Sequence, residues 1–230
     1  MFITFEGIEG SGKTTQINFL KDFFKEKSIK AVFTKEPGSS KIGGEIRNIL
    51  LNKNLDLSPY AELFLIFADR SQHVEEIIKP KLSADFLVVS DRYIDSTFAY
   101  QGEGRSIGHE EISKIIKKMN LPLPDKTFLL DLPVSEGLKR AKKRAEFDRF
   151  ESEEIAFHEK VRNAYLKIYE ENKIPLQIFR LSGIYSNIYN VLERIRSGNA
   201  SLIRKENQFF SRIHVEDLSL IHISEPTRPY

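Results

Sequence analysis

The chain has 230 residues and no cysteine, which excludes disulfides and thiolate chemistry. It also lacks a strong charge of either sign. Lys plus Arg number 35 against 33 Asp plus Glu, a formal net charge of +2. A long nucleic-acid-binding surface usually carries more basic excess, so no nucleic-acid partner is expected. That balance leaves room for a local basic pocket around a phosphate-rich small molecule. No uncharged run reaches the ~20 residues of a membrane span, so no membrane partner is expected either. No basic leader precedes the first apolar run, and the expectation is a cytoplasmic location. His73 and His109 stand alone, without the clustering of a metal ligand set. There is no internal repeat and no guanine-specific N-K-x-D signature. With 40% hydrophobic and 30% charged residues, the composition is that of a soluble globular protein, long enough for one sizeable α/β domain or two small ones.

What is present begins at the first residues, MFITFEGIEGSGKTTQ. Gly7, Gly12, Lys13 and Thr14 fit G-x-x-x-x-G-K-[ST], between an apolar run, Phe2–Phe5, and a helical pattern with Ile17, Leu20 and Phe24. That is the strand–loop–helix setting of a phosphate-binding loop. Its backbone amides curl around phosphate oxygens, and the helix start adds its dipole. Gly7, Glu9, Gly10, Ser11, Gly12, Lys13, Thr14 and Thr15 are therefore expected at a nucleoside triphosphate. Lys13 should reach the β- and γ-phosphates, and the Thr14 hydroxyl should hold Mg²⁺.

The rest of the chain alternates strands and helices. Lys30–Thr34 reads as a strand, followed by a turn at Glu36–Ser40 and a helix with Ile46, Ile49 and Leu50 on one face. Tyr60–Lys79 reads as a long helix or a kinked pair, broken at Pro80. Asp85–Ser90 and Lys126–Leu132 are strongly apolar strands with Asp91 and Asp131 near their ends. Asp91–Gly108 is polar and glycine-containing. Glu110–Met119 is amphipathic, Ser135–Lys143 starts a helix, and Val161, Ala164, Tyr165 and Ile168 mark another. Pro175–Leu181 reads as a last strand and Ile188–Ile195 as a last helix. This alternation predicts a mostly parallel sheet with helices on both faces, and ligands outside the carboxyl ends of its strands.

Asp91 can touch Mg²⁺ through water or orient an acceptor phosphate, and Arg92 can clamp such a phosphate. Arg47, Arg70 and Arg92 lie far apart in sequence, but a parallel sheet would bring them to one edge, where positive charge lets two anionic groups approach. The dense basic run with Arg140, Arg144 and Arg149 suggests a lid, about residues 139–154, that closes over phosphates. Phe67 and Tyr100 fit a base stack or sugar wall, and equally well the core.

The combination FEGIEGSGKTT, KEPGS, FADR, DRY with STFAYQG, and a KR…DRFE lid resembles thymidylate kinase, from about Met1 to Ile195. The resemblance implies a P-loop NTPase fold with a five-stranded parallel sheet, a homodimer, and ATP-dependent phosphorylation of dTMP to dTDP. It implies Lys13 and Thr14 at the ATP phosphates and Mg²⁺, and Glu9 on the deoxyribose 3′-hydroxyl. Asp91 and Glu36 would organise metal, water and the acceptor phosphate, which Arg47 and Arg92 would hold. Phe67 would stack on thymine, Arg70 would donate to its O4, and Thr97 and Gln101 would complete its recognition. Tyr100 would crowd C2′. Arg140, Arg144 and Arg149 would supply charge from the lid, as in bacterial members. Backbone near Arg180–Gly183 is the expected adenine site. Ser39 stands where the family usually has glycine, and Ala145 where a bacterial member can have one. Arg47 and Arg92 favour a phosphorylated acceptor over a deoxynucleoside, and the missing N-K-x-D disfavours a regulatory switch.

The domain is expected to span 1–198, with an uncertain tail at 199–217. From Leu218 the chain reads LSLIHISEPTRPY, which resembles the translated read-through of a sequencing-library adapter rather than natural protein.

Overall fold

The computed structural model describes residues 1–144 and 147–171, and beyond them only 178–180, 184–185 and 213–214; for Arg144, Glu170, Glu171 and the late strands it describes backbone alone. The expected last helix, the boundary at 198 and both tail segments lie outside the described residues, apart from the two residues of β7. Met1–Ile178 and Phe179–Tyr230 are separate compact units. In the second, β6 (Ile184–Tyr185) pairs in parallel with β7 (Ile213–His214).

The first unit is built on β1 (Phe2–Glu6), buried along its whole length. It lies between β3 (Leu87–Asp91) and β4 (Lys126–Asp131), and β2 (Ala31–Lys35) pairs with β3 on the far side. These pairings are all parallel and give the strand order β2-β3-β1-β4, and the short β5 (Ile178–Arg180) comes later in the chain. Phe5 is level with Asp91 and Glu6 with Leu129, so the chain leaves β1 at one edge beside the ends of its neighbours. Strands buried on both faces need apolar side chains throughout, which is why FITF and LVV are continuous apolar runs.

Helices follow the strands: α1 (Lys13–Glu26), α2 (Gly43–Leu51), α3 (Pro59–His73), α4 (Lys79–Ser83), α5 (Ile94–Thr97), α6 (His109–Met119), α7 (Val134–Arg144) and α8 (Ile155–Glu171). Ser58 caps α3 by accepting from the Ala61 amide at 3.3 Å, with Pro59 in its first turn. Two differences from the sequence expectations have local causes. Pro80 does not break the helical run. A π-helical turn, Val74–Ile78, joins α3 to α4 and puts Pro80 in the first turn of α4, where no amide is needed. The polar stretch after Asp91 is helical, as α5 and a π-helical turn, Phe98–Gly104. Ala99, Tyr100 and Gln101 on that turn are buried.

One close approach sets the geometry around the phosphate loop. A Cβ on Gly10 would lie 2.2 Å from the Gly137 carbonyl oxygen, and one on Gly137 would lie 2.5 Å from the Glu9 carbonyl oxygen. The loop and α7 therefore meet backbone to backbone.

Candidate active site

The phosphate loop delivers α1 by its N-terminus to the carboxyl edge of the sheet, leaving the first-turn amides without intrahelical acceptors. Lys13 folds back along the loop. Its Nζ donates to the carbonyls of Gly7 and Ile8, both at 2.9 Å. Burial, and then the Arg92 charge, lower its pKa to about 8, against the pull of Asp91, Glu9 and Glu6. A phosphate would supply the missing counter-charge.

A cavity of about 840 Å³ opens above this loop. Its lining brings together Glu9 and Lys13 from the loop, Glu36 after β2, Arg47 from α2, Arg70 from α3, and Asp91 and Arg92 at the end of β3. Thr97, Tyr100 and Gln101 add the α5 and π-turn wall, and Arg140 of α7 the rim. Arg47, Arg70, Arg92 and Arg140, scattered over the chain, thus share one site.

Each acceptor-side group is held by a partner distant in sequence. The Arg47 Nη1 donates to the Pro37 carbonyl at 2.9 Å, across a turn whose Glu36-Pro37 peptide is cis. Gly38, at φ 120°, lets this happen, since a Cβ there would lie 2.9 Å from Arg47 Cδ. Asp69 accepts from the Gly38 amide (3.2 Å) and the Ser40 hydroxyl (3.2 Å). Ser39, at the family's usual glycine position, has no positive φ, and its hydroxyl accepts from the Lys35 amide at 2.8 Å. Ala145 lies outside the described residues.

Arg70 is almost wholly buried. It donates to Glu36 (2.7 Å), the Thr97 hydroxyl (2.8 Å) and the Tyr93 carbonyl (2.9 Å). The other Glu36 oxygen lies 2.7 Å from His73 Nδ1, and His73 Nε2 lies 2.6 Å from the Thr34 hydroxyl. Arg92 takes a left-handed backbone, φ 72°, fixed by Ser90 Oγ donating to its carbonyl at 2.8 Å. Its guanidinium donates to Glu9 (3.1 Å), Tyr100 (3.1 Å), Ser96 (3.2 Å) and Tyr165 (3.0 Å). Tyr100 also donates to Glu9 Oε1, at 2.5 Å. Burial alone would raise the Glu9 pKa, but His158, Arg92, Lys13 and Tyr100 outweigh it and hold it at about 2. The second oxygen, Oε2, has no hydrogen-bond partner among the described residues and lies 3.5 Å from His158 Nδ1.

Two of the expected site residues do not line this cavity. Phe67 is 4% exposed and packs with Leu63 and Ile112 in the core, while its neighbour Ile66 lines the cavity. One residue along a helix rotates the side chain by roughly 100°, and Phe67 falls on the inner side. Arg149 is not at the cavity. Its Nε donates to the Leu50 carbonyl (2.7 Å) and its Nη2 to Glu62 (2.7 Å). The Arg144 side chain lies outside the described residues, as does most of Arg180–Gly183. Glu62, Asp69, His73, His158 and Tyr165 were missed, because each acts through partners far along the chain. FADR and DRY gave no sign of them beyond their polarity among apolar neighbours.

Thr14 and Asp91 both line the cavity, and no group of three His, Cys, Asp or Glu able to hold a metal occurs among the described residues. One hydroxyl and one carboxylate suit Mg²⁺, which takes its remaining ligands from phosphates and water.

The chain matches the thymidylate kinase family model over residues 5–181. It is 51% identical over 174 residues to the thymidylate kinase of Sulfurihydrogenibium sp., covering 75% of this chain and 84% of that one. It is 46% identical over 173 residues to that of Carboxydothermus hydrogenoformans, covering 75% and 85%. The crystal structure of thymidylate kinase from Ehrlichia chaffeensis superposes with a TM-score of 0.62 at 34% identity, covering 77% of this chain and 85% of that one. With the loop, the arginines and the acceptor wall gathered in one cavity, these matches place the chain in the thymidylate kinase family.

Proposed function

We propose that this protein transfers the γ-phosphoryl group of ATP directly to the phosphate of dTMP, giving ADP and dTDP. The carrying observation is the single cavity in which Lys13 and the loop amides face Arg47, Arg92 and the Tyr100–Gln101 wall. The loop binds the donor phosphates, and Arg47 and Arg92 seat the acceptor phosphate. An acceptor oxygen that is already anionic needs no strong base, so catalysis is positioning and charge neutralisation. Thr14 and Asp91 would hold Mg²⁺, which neutralises phosphate charge when bound. Glu9 accepts from the sugar 3′-hydroxyl, and Tyr100, fixed against Glu9 and Arg92, leaves no room at C2′ for a ribose hydroxyl. Arg70 and Thr97 face the thymine edge, with Ile66 as its aliphatic wall. Arg140 on the rim supplies further charge as the 139–154 lid closes and excludes water.

The protein is further proposed to act in the cytoplasm as a homodimer. No helix among the described residues is long and apolar enough to cross a membrane. Tyr60 and Phe64 on α3 are 51% and 58% exposed and offer an apolar contact, whereas Ile112 is used inside its own chain. Sedimentation of Phe64→Glu, which should be monomeric, tests this.

Coupled ADP release with dTMP, dUMP, dCMP and thymidine tests the reaction. Turnover should be fastest on dTMP and absent on thymidine, and Lys13→Ala should fold yet lose it. Phosphorylation of thymidine in preference to dTMP would replace this reading with a deoxynucleoside kinase.

A further inference from the structure

Glu62 lies outside the cavity lining, has a fully buried carboxylate, and is not explained by the phosphate chemistry. Three side chains converge on it. Gln101 Nε2 donates to its Oε1 at 2.7 Å. Arg105 Nε (3.1 Å) and Arg149 Nη2 (2.7 Å) donate to its Oε2. Gln101 is 2% exposed and lines the cavity on the base side.

We propose that Glu62 is a positioning residue that fixes the Gln101 amide with its carbonyl oxygen toward the bound base, and thereby selects pyrimidines that carry a proton on N3. This rests on the reading of the cavity as a dTMP site and adds the source of its base selectivity. A side-chain amide has a donor end and an acceptor end, interchangeable by a half-turn. A carboxylate held by two guanidinium groups only accepts, so the amide must give it the NH₂ end. Turning the amide would set oxygen against oxygen in a buried place. The carbonyl oxygen is then the end left for the cavity. Thymine and uracil present an N3–H donor to it. Cytosine presents a bare N3 acceptor there, and two acceptors facing each other without water are rejected.

Glu62→Gln makes the test sharp, because it changes almost no volume. Arg105 and Arg149 claim the oxygen of the new amide, leaving its NH₂ for Gln101. Gln101 must then turn and show NH₂ to the base. The measurement is kcat/KM for dTMP and dCMP in the full-length wild type and in Glu62→Gln. The ratio of dTMP to dCMP should fall at least about tenfold. It should do so through a higher KM for dTMP with kcat little changed, and through improved use of dCMP. A purely structural loss would lower both substrates together and leave the ratio alone. If Glu62→Gln does not fold, Glu62→Asp, which keeps the charge but withdraws it from Gln101, should also lower the ratio. A wild type that prefers dTMP and a folded variant with an unchanged ratio would overturn the proposal. A wild type inactive on dTMP would instead overturn the underlying reading.

Discussion

Two carboxylates, Glu36 buried and Glu9 partly so, line the same cavity in opposite states. Glu36 has both oxygens engaged, by Arg70 and by His73, and the chain of contacts runs on through Thr34 and Thr97. Glu9 has one oxygen held by Tyr100 and Arg92, while the other, beside His158, and both His158 ring nitrogens have no hydrogen-bond partner among the described residues. A satisfied carboxylate holds the frame, and an unsatisfied one is ready for a ligand. Buried polar groups left unpaired cost about 1–3 kcal/mol, a cost that a substrate hydroxyl can relieve.

Substitutions can break this contrast. Glu36→Ala leaves the buried Arg70 guanidinium without its partner and should cost about 3–5 kcal/mol of stability. Thermal and denaturant unfolding would show it as a large fall in midpoint. Glu9→Ala removes a group that already lacks half its partners. It should cost less stability than Glu36→Ala, yet lower kcat/KM for dTMP by roughly 10–100-fold, the worth of a charged hydrogen bond. It should also lose the preference for dTMP over its 3′-deoxy analogue. Equal midpoints for the two variants would erase the distinction.

Lys13 sharpens the comparison from the donor side, since loop carbonyls satisfy it without neutralising it. Its value of about 8 is below the ordinary 10.5, so the folded protein holds fewer protons than the unfolded chain between these pH values. The destabilising effect of this group is therefore full below pH 8 and fades as pH rises towards 10.5. ATP phosphates bound at Lys13 would restore the charge. Calorimetry at pH 9 in buffers of different ionisation enthalpy should show uptake of up to about one proton per ATP bound, absent in Lys13→Met. The smallest effect is expected at His158. Its replacement by Leu removes two ring nitrogens without hydrogen-bond partners among the described residues, but also the ring's favourable influence on Glu9, so the two effects should offset and move the midpoint by no more than about 1 kcal/mol. A fall of several degrees would mean that the imidazole has a partner in solution.

The donor half of this site was legible in the sequence because it is local. Eight consecutive positions, flanked by a strand and a helix, fix the loop, and Lys13 and Thr14 follow from it. The arginines at 47, 70 and 92 were legible because parallel strands gather their carboxyl ends. That Ile66 rather than Phe67 lines the cavity is not legible, because the sequence does not say which of two adjacent apolar residues on α3 faces inward. The bond from Arg149 to Glu62 is not legible because the two lie 87 positions apart, and nothing near DRFE announces it. Pro80 read as a break because a π-helical turn leaves no signature in hydrophobic spacing.

The bare contact between Gly10 and Gly137 gives α7 a pivot. The helix carrying Lys139, Arg140, Lys142, Lys143 and Arg144 is seated on the loop at a point that admits not even a methyl group. Tolerance to mutation along α7 should therefore form a gradient, nil at the pivot and widening with distance from it. Charge on the outer turns can be rewritten with little cost to the fold, while the place where that helix meets the loop is set by two residues without side chains.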